Sequence, residues 1–263
     1  MKLLSLTAVL FFSVMLFAAT PKKLALTGEA VPVALITAEL SQDGSFDLLE
    51  RAEVDRILRE HKLAGEGLAG LFPHTDLFAM VGGSGVVVFN AKNGYRLADR
   101  LFNAEAEPAE RAGFAATEIR RAAEKVAISH PVCISTVAVR DVGVPRRLKD
   151  GIETCVAAVE RLLLDDPRFQ LLERGRLGLV NGEREFSGKE FVLTPSSCLL
   201  TFEFEPGSTG REVNVKVLIH DLSRREIGRV SLSDVFGEPE KSAAEITRRI
   251  RSAISGYKGG TGL

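Results

Sequence analysis

FDLLERAEVDRIL at residues 46–58 has a second version in the same chain, FQLLERGRLGLVN at residues 169–181. Each opens F-x-L-L-E-R, and the two phenylalanines stand 169 − 46 = 123 residues apart. That spacing is far longer than the roughly 20–50 residues of a solenoid repeat, and it points to two copies of one domain. Apolar residues crowd each F-x-L-L, which predicts a strand. In the first copy the strand runs straight into a helix, with Val54, Ile57 and Leu58 on its apolar face.

Working outward, KLALTG predicts a strand, VPVALITAELSQ a mostly apolar helix, and AEVDRILREHKL the helix after F-x-L-L-E-R. GEGLAG breaks the pattern, and LFPHTDLFAMVGG predicts a turn or a short helix. GVVVFNAKNGYRLADRLF predicts a hairpin turning at Asn93-Gly94. A helix follows from about Glu107 to Ser129, with Ala115, Ile119, Ala122 and Val126 inward. From Val132 the order restarts: CISTVAV is a strand and RRLKDGIETCVAAVERLLLDDP a helix with a broad stripe of Leu148, Ile152, Cys155, Val156, Val159, Leu162 and Leu163. After FQLLER, glycines at 175, 178, 182 and 188 disfavour the expected helix. CLLTFEFE and VNVKVLIHD alternate apolar and polar residues around the PGSTG turn, RREIGRVSLSD adds a strand, and EKSAAEITRRIRSAIS closes as a helix.

The fold class is therefore α/β (α+β): two similar mixed-sheet domains with helices packed on the sheet, from an internal duplication. The expected division is a signal peptide over 1–20, a first α/β domain over 21–130, a second, degenerate copy over 131–256, and a flexible tail over 257–263. The leader is read from MKLLSLTAVLFFSVMLFAAT, in which one lysine precedes an unbroken apolar run ending in small residues. No cysteine follows that run, so no lipid-modified N-terminus is encoded.

The chain has 263 residues, 45 % of them hydrophobic, with 34 basic against 35 acidic side chains. That composition fills real cores and leaves no charged field that would select nucleic acid. Cys133, Cys155 and Cys198 are far apart and lie in apolar patterns, so they read as small core hydrophobes and not as a zinc set. His61, His74, His130 and His220 are scattered. VGGSGVVVF runs into a strand and lacks the lysine of a phosphate loop, and Ser84 misses a G-x-S-x-G elbow because Val86 stands at the last position. Glu50, Glu53 and Asp55, like Glu203 and Glu205, fall on solvent faces. No catalytic residue, cofactor or metal is expected. The alternation at 199–219 comes close to a membrane hairpin, yet it equally describes a sheet with one face on a core.

The run from KLALTG through FDLLERAEVDRILREHKLAGEGLAG resembles the curli assembly and transport family (CsgG-like), which has a TolB-like N-terminal fold. Its members read as a strand ending in V-E-R or L-E-R and then a helix of the form A-x-h-D-x-h-L-x-E, with h apolar. Here those are Phe46 to Arg51, then Ala52, Val54, Asp55, Ile57, Leu58 and Glu60. The match covers roughly forty residues of the first half. The second half keeps Phe169, Leu171, Leu172, Glu173 and Arg174 and loses the helix signature. The resemblance implies an exported bacterial envelope protein, in the periplasm or on the periplasmic face of the outer membrane, that works through protein association and in some members forms a ring-shaped secretion channel. It departs from channel-forming members in lacking an N-terminal lipid-anchored cysteine and long membrane hairpins. Protein partners, a homo-oligomer and peripheral membrane contact fit this implication. The alternative is a periplasmic module holding a small ligand or peptide between its halves, and a third reading is a secretion-pore subunit.

L-L-E-R fits a strand whose leucines are buried, with Glu50 and Arg51 at its exit in structural roles beside the next helix. Leu48→Asp is expected to unfold the first half, whereas Glu50→Gln costs little. Thermal melts of the two variants measure this, and the reverse ranking would overturn the strand.

Overall fold

A computed structural model describes residues 20–42, 44–64, 74–172, 198–209 and 212–256, without the side chains of 61–64. The expected leader, the glycine-rich stretch at 175–188, Glu173, Arg174 and the tail at 257–263 lie outside the described residues. Ten strands form one mixed sheet. The first half supplies β1 (Lys22–Gly28), α1 (Ala30–Leu40), β2 (Phe46–Leu48), α2 (Arg51–Ala64), β3 (Leu77–Gly82), β4 (Gly85–Asn90), β5 (Arg96–Leu101) and α3 (Pro108–Val126). The second supplies β6 (Val132–Arg140), a 3-10 turn at Arg146–Leu148, α4 (Lys149–Leu163), β7 (Phe169–Leu172), β8 (Cys198–Pro206), β9 (Val213–His220), β10 (Glu226–Leu232) and α5 (Pro239–Gly256).

Most elements fall where the sequence pattern puts them. The stretch LFPHTDLFAMVGG is a correction, because Leu77–Gly82 is not a turn or short helix but β3, an interior strand between β1 and β4. Its Leu77, Phe78, Ala79 and Val81 are buried on both faces of the sheet, and that continuous apolar run hides the alternation by which a strand is usually recognised. The glycine-rich VGGSG is the tight β3–β4 turn, with Gly82 paired to Gly85. Gly28 ends β1 at φ +140, and a Cβ there would collide with the Val81 carbonyl, so only glycine allows β1 and β3 to pair to the end.

The strand order is β10-β9-β8-β6-β7-β5-β4-β3-β1-β2. Within each half the pairing is the same. β1 runs parallel to β2 and β3, and β3-β4-β5 continue antiparallel. β6 runs parallel to β7 and β8, and β8-β9-β10 continue antiparallel. The registers also agree, since Leu24 of β1 pairs with Leu48 and Leu77 while Ile134 of β6 pairs with Leu171 and Cys198. Phe46 and Phe169 occupy the first paired position of β2 and β7, opposite Lys22 and Val132.

Each half ends on the same irregularity. Val88 pairs with Ala98 and Phe89 with Arg96, which leaves Leu97 as an extra residue in β5. Ile219 pairs with Gly228 and His220 with Glu226, which leaves Ile227 as the extra residue in β10. A bulge of this kind bends the strand and frees a backbone group from the ladder.

Helices α1 and α3 cover one face of the first half over Leu24, Leu26, Phe46, Leu77 and Val88, and α2 covers the other over Ala25, Phe78 and Phe89. Helices α4 and α5 cover the second half over Ile134, Phe169, Leu171, Phe202 and Val217. Seven apolar side chains of the 199–219 hairpin, Leu200, Phe202, Phe204, Val213, Val215, Val217 and Ile219, belong to that core, while Leu199 and Leu218 on the other face are half-buried. The expected boundary at His130-Pro131 falls in the connection between α3 and β6. The sheet itself does not stop there, because β5 pairs antiparallel with β7 through Arg96 and Leu171 and joins the halves edge to edge.

Phe169 is interior in this sheet and Phe46 lies on its edge strand, so equal truncations cost unequally. Phe169→Ala is expected to lose about 3–5 kcal/mol and Phe46→Ala distinctly less, read from urea unfolding midpoints.

Candidate functional site

The seam between the halves concentrates the buried charge of the molecule. β5 presents Arg96 and Asp99 on the face that α4 covers, level with Phe89 and Val87, and Arg100 on the other face toward α3, level with Val86. Arg96 donates to Asp99 at 2.7 Å and to Glu160 of α4 at 2.8 Å. Arg161 of α4 also reaches Asp99, at 3.3 Å. Arg100 donates to Glu118 of α3 at 3.2 Å and to Asp165, just beyond α4. Arg121 completes Glu118 at 2.9 Å. Glu118 and Glu160 are buried, so each carboxylate needs the guanidinium beside it.

Lys125 lies in the middle of this set, 2 % exposed. Its Nζ donates to the carbonyl of Leu97 at 2.8 Å and to that of Leu164. Leu97 is the bulged residue of β5, so the bulge supplies an acceptor that a regular ladder would have used. Leu164 is the last residue capping α4, where helix carbonyls lack partners. One ammonium thus ties the first half's last strand to the second half's first helix. Burial pulls the Lys125 pKa down to about 8, with the nearby Arg100 charge adding to it against Asp165 and Glu118. A small apolar cluster of Tyr95, Cys133 and Leu172 lies at the same seam.

The sequence alone does not single out this network. Its legible signal is R-L-A-D-R at 96–100, where charges interrupt a strand that the fold covers with helices. The other candidates stay apart. His74 and His130 are exposed, His220 is half-buried on β9, and the side chain of His61 lies outside the described residues. Among the described residues no group of His, Cys, Asp and Glu side chains is placed to hold a metal. The three cysteines are buried, and burial pushes the Cys155 and Cys198 thiols up to about 11.

Glu50 and Glu53 are exposed, and Asp55 is half-buried beside Arg51. Arg51 donates to the Gly28 carbonyl at 3.3 Å, which pins the start of α2 to the end of β1. Glu203 accepts from Arg140 at 3.0 Å and Lys216 at 3.2 Å, while Glu205 is exposed. The carboxyl ends of β1 and β6, where open α/β sheets receive ligands, are thus bridged by ordinary surface pairs.

A second feature lies at the β2 end of the sheet. Helix α1, AVPVALITAEL, is apolar nearly all round, a pattern that belongs to a helix enclosed on every side. Only Val33, Ile36 and Leu40 are fully buried. Glu39 on one flank meets Arg120 of α3. The rest stays open, with Val31 63 % and Leu35 37 % exposed and Ala30, Ala34 and Ala38 exposed beside them. Among the described residues no helix is long and apolar enough to cross a membrane.

Lys125 sets a pH signature for the seam. Its folded pKa of about 8 lies below the ordinary 10.5, so the unfolded chain holds more protons between those values and stability rises with pH across that window. The gain approaches about 3 kcal/mol at its upper end. Chemical denaturation from pH 7.5 to 10 is expected to show this rise in the wild type and to lose it in Lys125→Met. No protein-family model and no curated protein matches the chain.

Proposed function

We propose that the chain is an exported, non-enzymatic protein of the cell envelope, of the CsgG-like type, that acts through protein association as an assembly, secretion or scaffolding component. The observation that carries this reading is α1. It leaves Val31, Ala34, Leu35 and Ala38 open to solvent at one end of the sheet, on a helix whose composition calls for enclosure. An uncovered apolar helix face costs solubility unless a partner takes it up. Export rests on the leader pattern at 1–20, and the periplasmic placement rests on the resemblance carried by Phe46 to Glu60.

The shared strand order, the matching registers around Leu24 and Ile134, and the bulges at Leu97 and Ile227 support an origin by duplication. A module holding a ligand between the halves is less well supported, because side chains fill the seam. A ligand there would have to displace the Arg96, Arg100 and Lys125 contacts.

A photo-cross-linking residue at position 35, introduced in cells, tests the association. It is expected to give discrete protein adducts in the envelope fraction. The same residue at Thr154, an exposed site on α4, is expected to give none. Equal labelling at both sites, or none at either, would overturn the reading.

A further inference from the structure

The ten-stranded sheet is a tandem, not a mirror arrangement. Reading across it, the second half runs β10-β9-β8-β6-β7 and the first half continues β5-β4-β3-β1-β2. The joint therefore places the edge strand that follows the first crossover, β7, against the final strand of the other half, β5. Both kinds of edge are repeated at the ends of the sheet. Among the described residues, β2, the counterpart of β7, is open at one end, and β10, the counterpart of β5, is open at the other. A joint between unlike surfaces propagates, closing into a ring or extending as a filament.

We infer that a second copy of this chain docks head to tail, with β2 and α1 of one copy against β10 of the next, so that the internal β5–β7 joint, with α4 lying against β5, is repeated between chains. The inference rests on the association reading above and names its partner.

The registers specify the contact. In the internal joint, Leu171 pairs with Arg96. Leu171 stands opposite Ile134 as Leu48 stands opposite Leu24, and Arg96 stands beside its bulge as Glu226 stands beside the second one. The repeated pair is therefore Leu48 of one copy with Glu226 of the next.

The helices agree with this placement. Leu163 lies 169 − 163 = 6 residues before Phe169, and Leu40 lies 46 − 40 = 6 before Phe46, so Thr37 and Ala38 correspond to Glu160 and Arg161. In α4 Glu160 and Arg161 meet Arg96 and Asp99 of the neighbouring half. In α1 Ala38, at the Arg161 position, and Ala34 one turn earlier are exposed. The chemistry differs between the two joints, because α4 meets its neighbour through ions and α1 offers only small and apolar groups. On β10, Glu226 is already paired with Arg229 at 2.8 Å, so the open edge presents no unmatched charge to the incoming strand. That charged pair also discourages indiscriminate strand pairing.

Two measurements test this on the purified protein. Light scattering after size exclusion is expected to give a mass of several chains, and Ala34→Arg with Ala38→Arg, both at exposed positions, is expected to return it to one chain, because the added charges would meet Arg229 of the next copy. Cysteines at the predicted pair, Leu48→Cys with Glu226→Cys, are expected to give a ladder of dimers, trimers and larger species on a non-reducing gel. Directly paired strands bring Cα atoms about 4.5–5.5 Å apart, within disulfide range. Each single variant can give dimers at most and, with an unchanged circular dichroism spectrum, serves as the folding control. A single-chain mass at every concentration together with no ladder overturns the inference. If position 35 then still cross-links to a different protein, the association reading stands and only the self-docking fails.

Discussion

The seam between β5 and the second half depends on the Lys125 amino group, which donates to two carbonyls, and on the ion set around it. A buried lysine is costly to place, and this one is held because two carbonyls with no ladder or helix partner converge on it. The bulge at Leu97 creates one acceptor and the end of α4 creates the other. Glu118 and Glu160 are bound into the same set by Arg96, Arg100 and Arg121, so both buried carboxylates are matched by guanidinium groups. A few side chains thereby fix how the first half's last strand meets the second half's first helix.

That joint explains why two units with the same internal order make one sheet instead of two domains on a linker. Antiparallel pairing of β5 with β7 turns two edges into interior strands and leaves two others at the ends. Open edges invite further pairing, and proteins that keep them usually shorten or charge them. Here β2 has only three residues and β10 carries Glu226 and Arg229, while α1 at the β2 end stays apolar and uncovered. The two ends of the sheet are therefore unlike, one charged along its strand and the other apolar along its helix.

Sequence legibility followed the periodicity of each segment. The one-sided alternation of CLLTFEFE and VNVKVLIHD, the amphipathic stripes of α3, α4 and α5, and the Asn93-Gly94 turn could all be read because one face meets a core and the other meets water. β3 could not, because Leu77, Phe78, Ala79 and Val81 are buried on both faces and LFAMVG is apolar throughout, with no polar alternation. The ion network was hidden for a different reason. Arg96, Asp99 and Arg100 look like solvent residues until Glu118 and Glu160, which are distant in the chain, are seen to be buried against them.

By itself the sequence determined the α/β class, the helices and most strands, and the twofold appearance of F-x-L-L-E-R, since these follow from local pattern and from similarity between two segments. Tertiary structure alone decided that both F-x-L segments hold the same register against a first strand, that the halves join head to tail in one sheet, and that α1 is left bare where α4 is covered. The physical reason is that edge pairing and burial of charge depend on which surfaces meet, and residues far apart in sequence carry no local mark of that meeting.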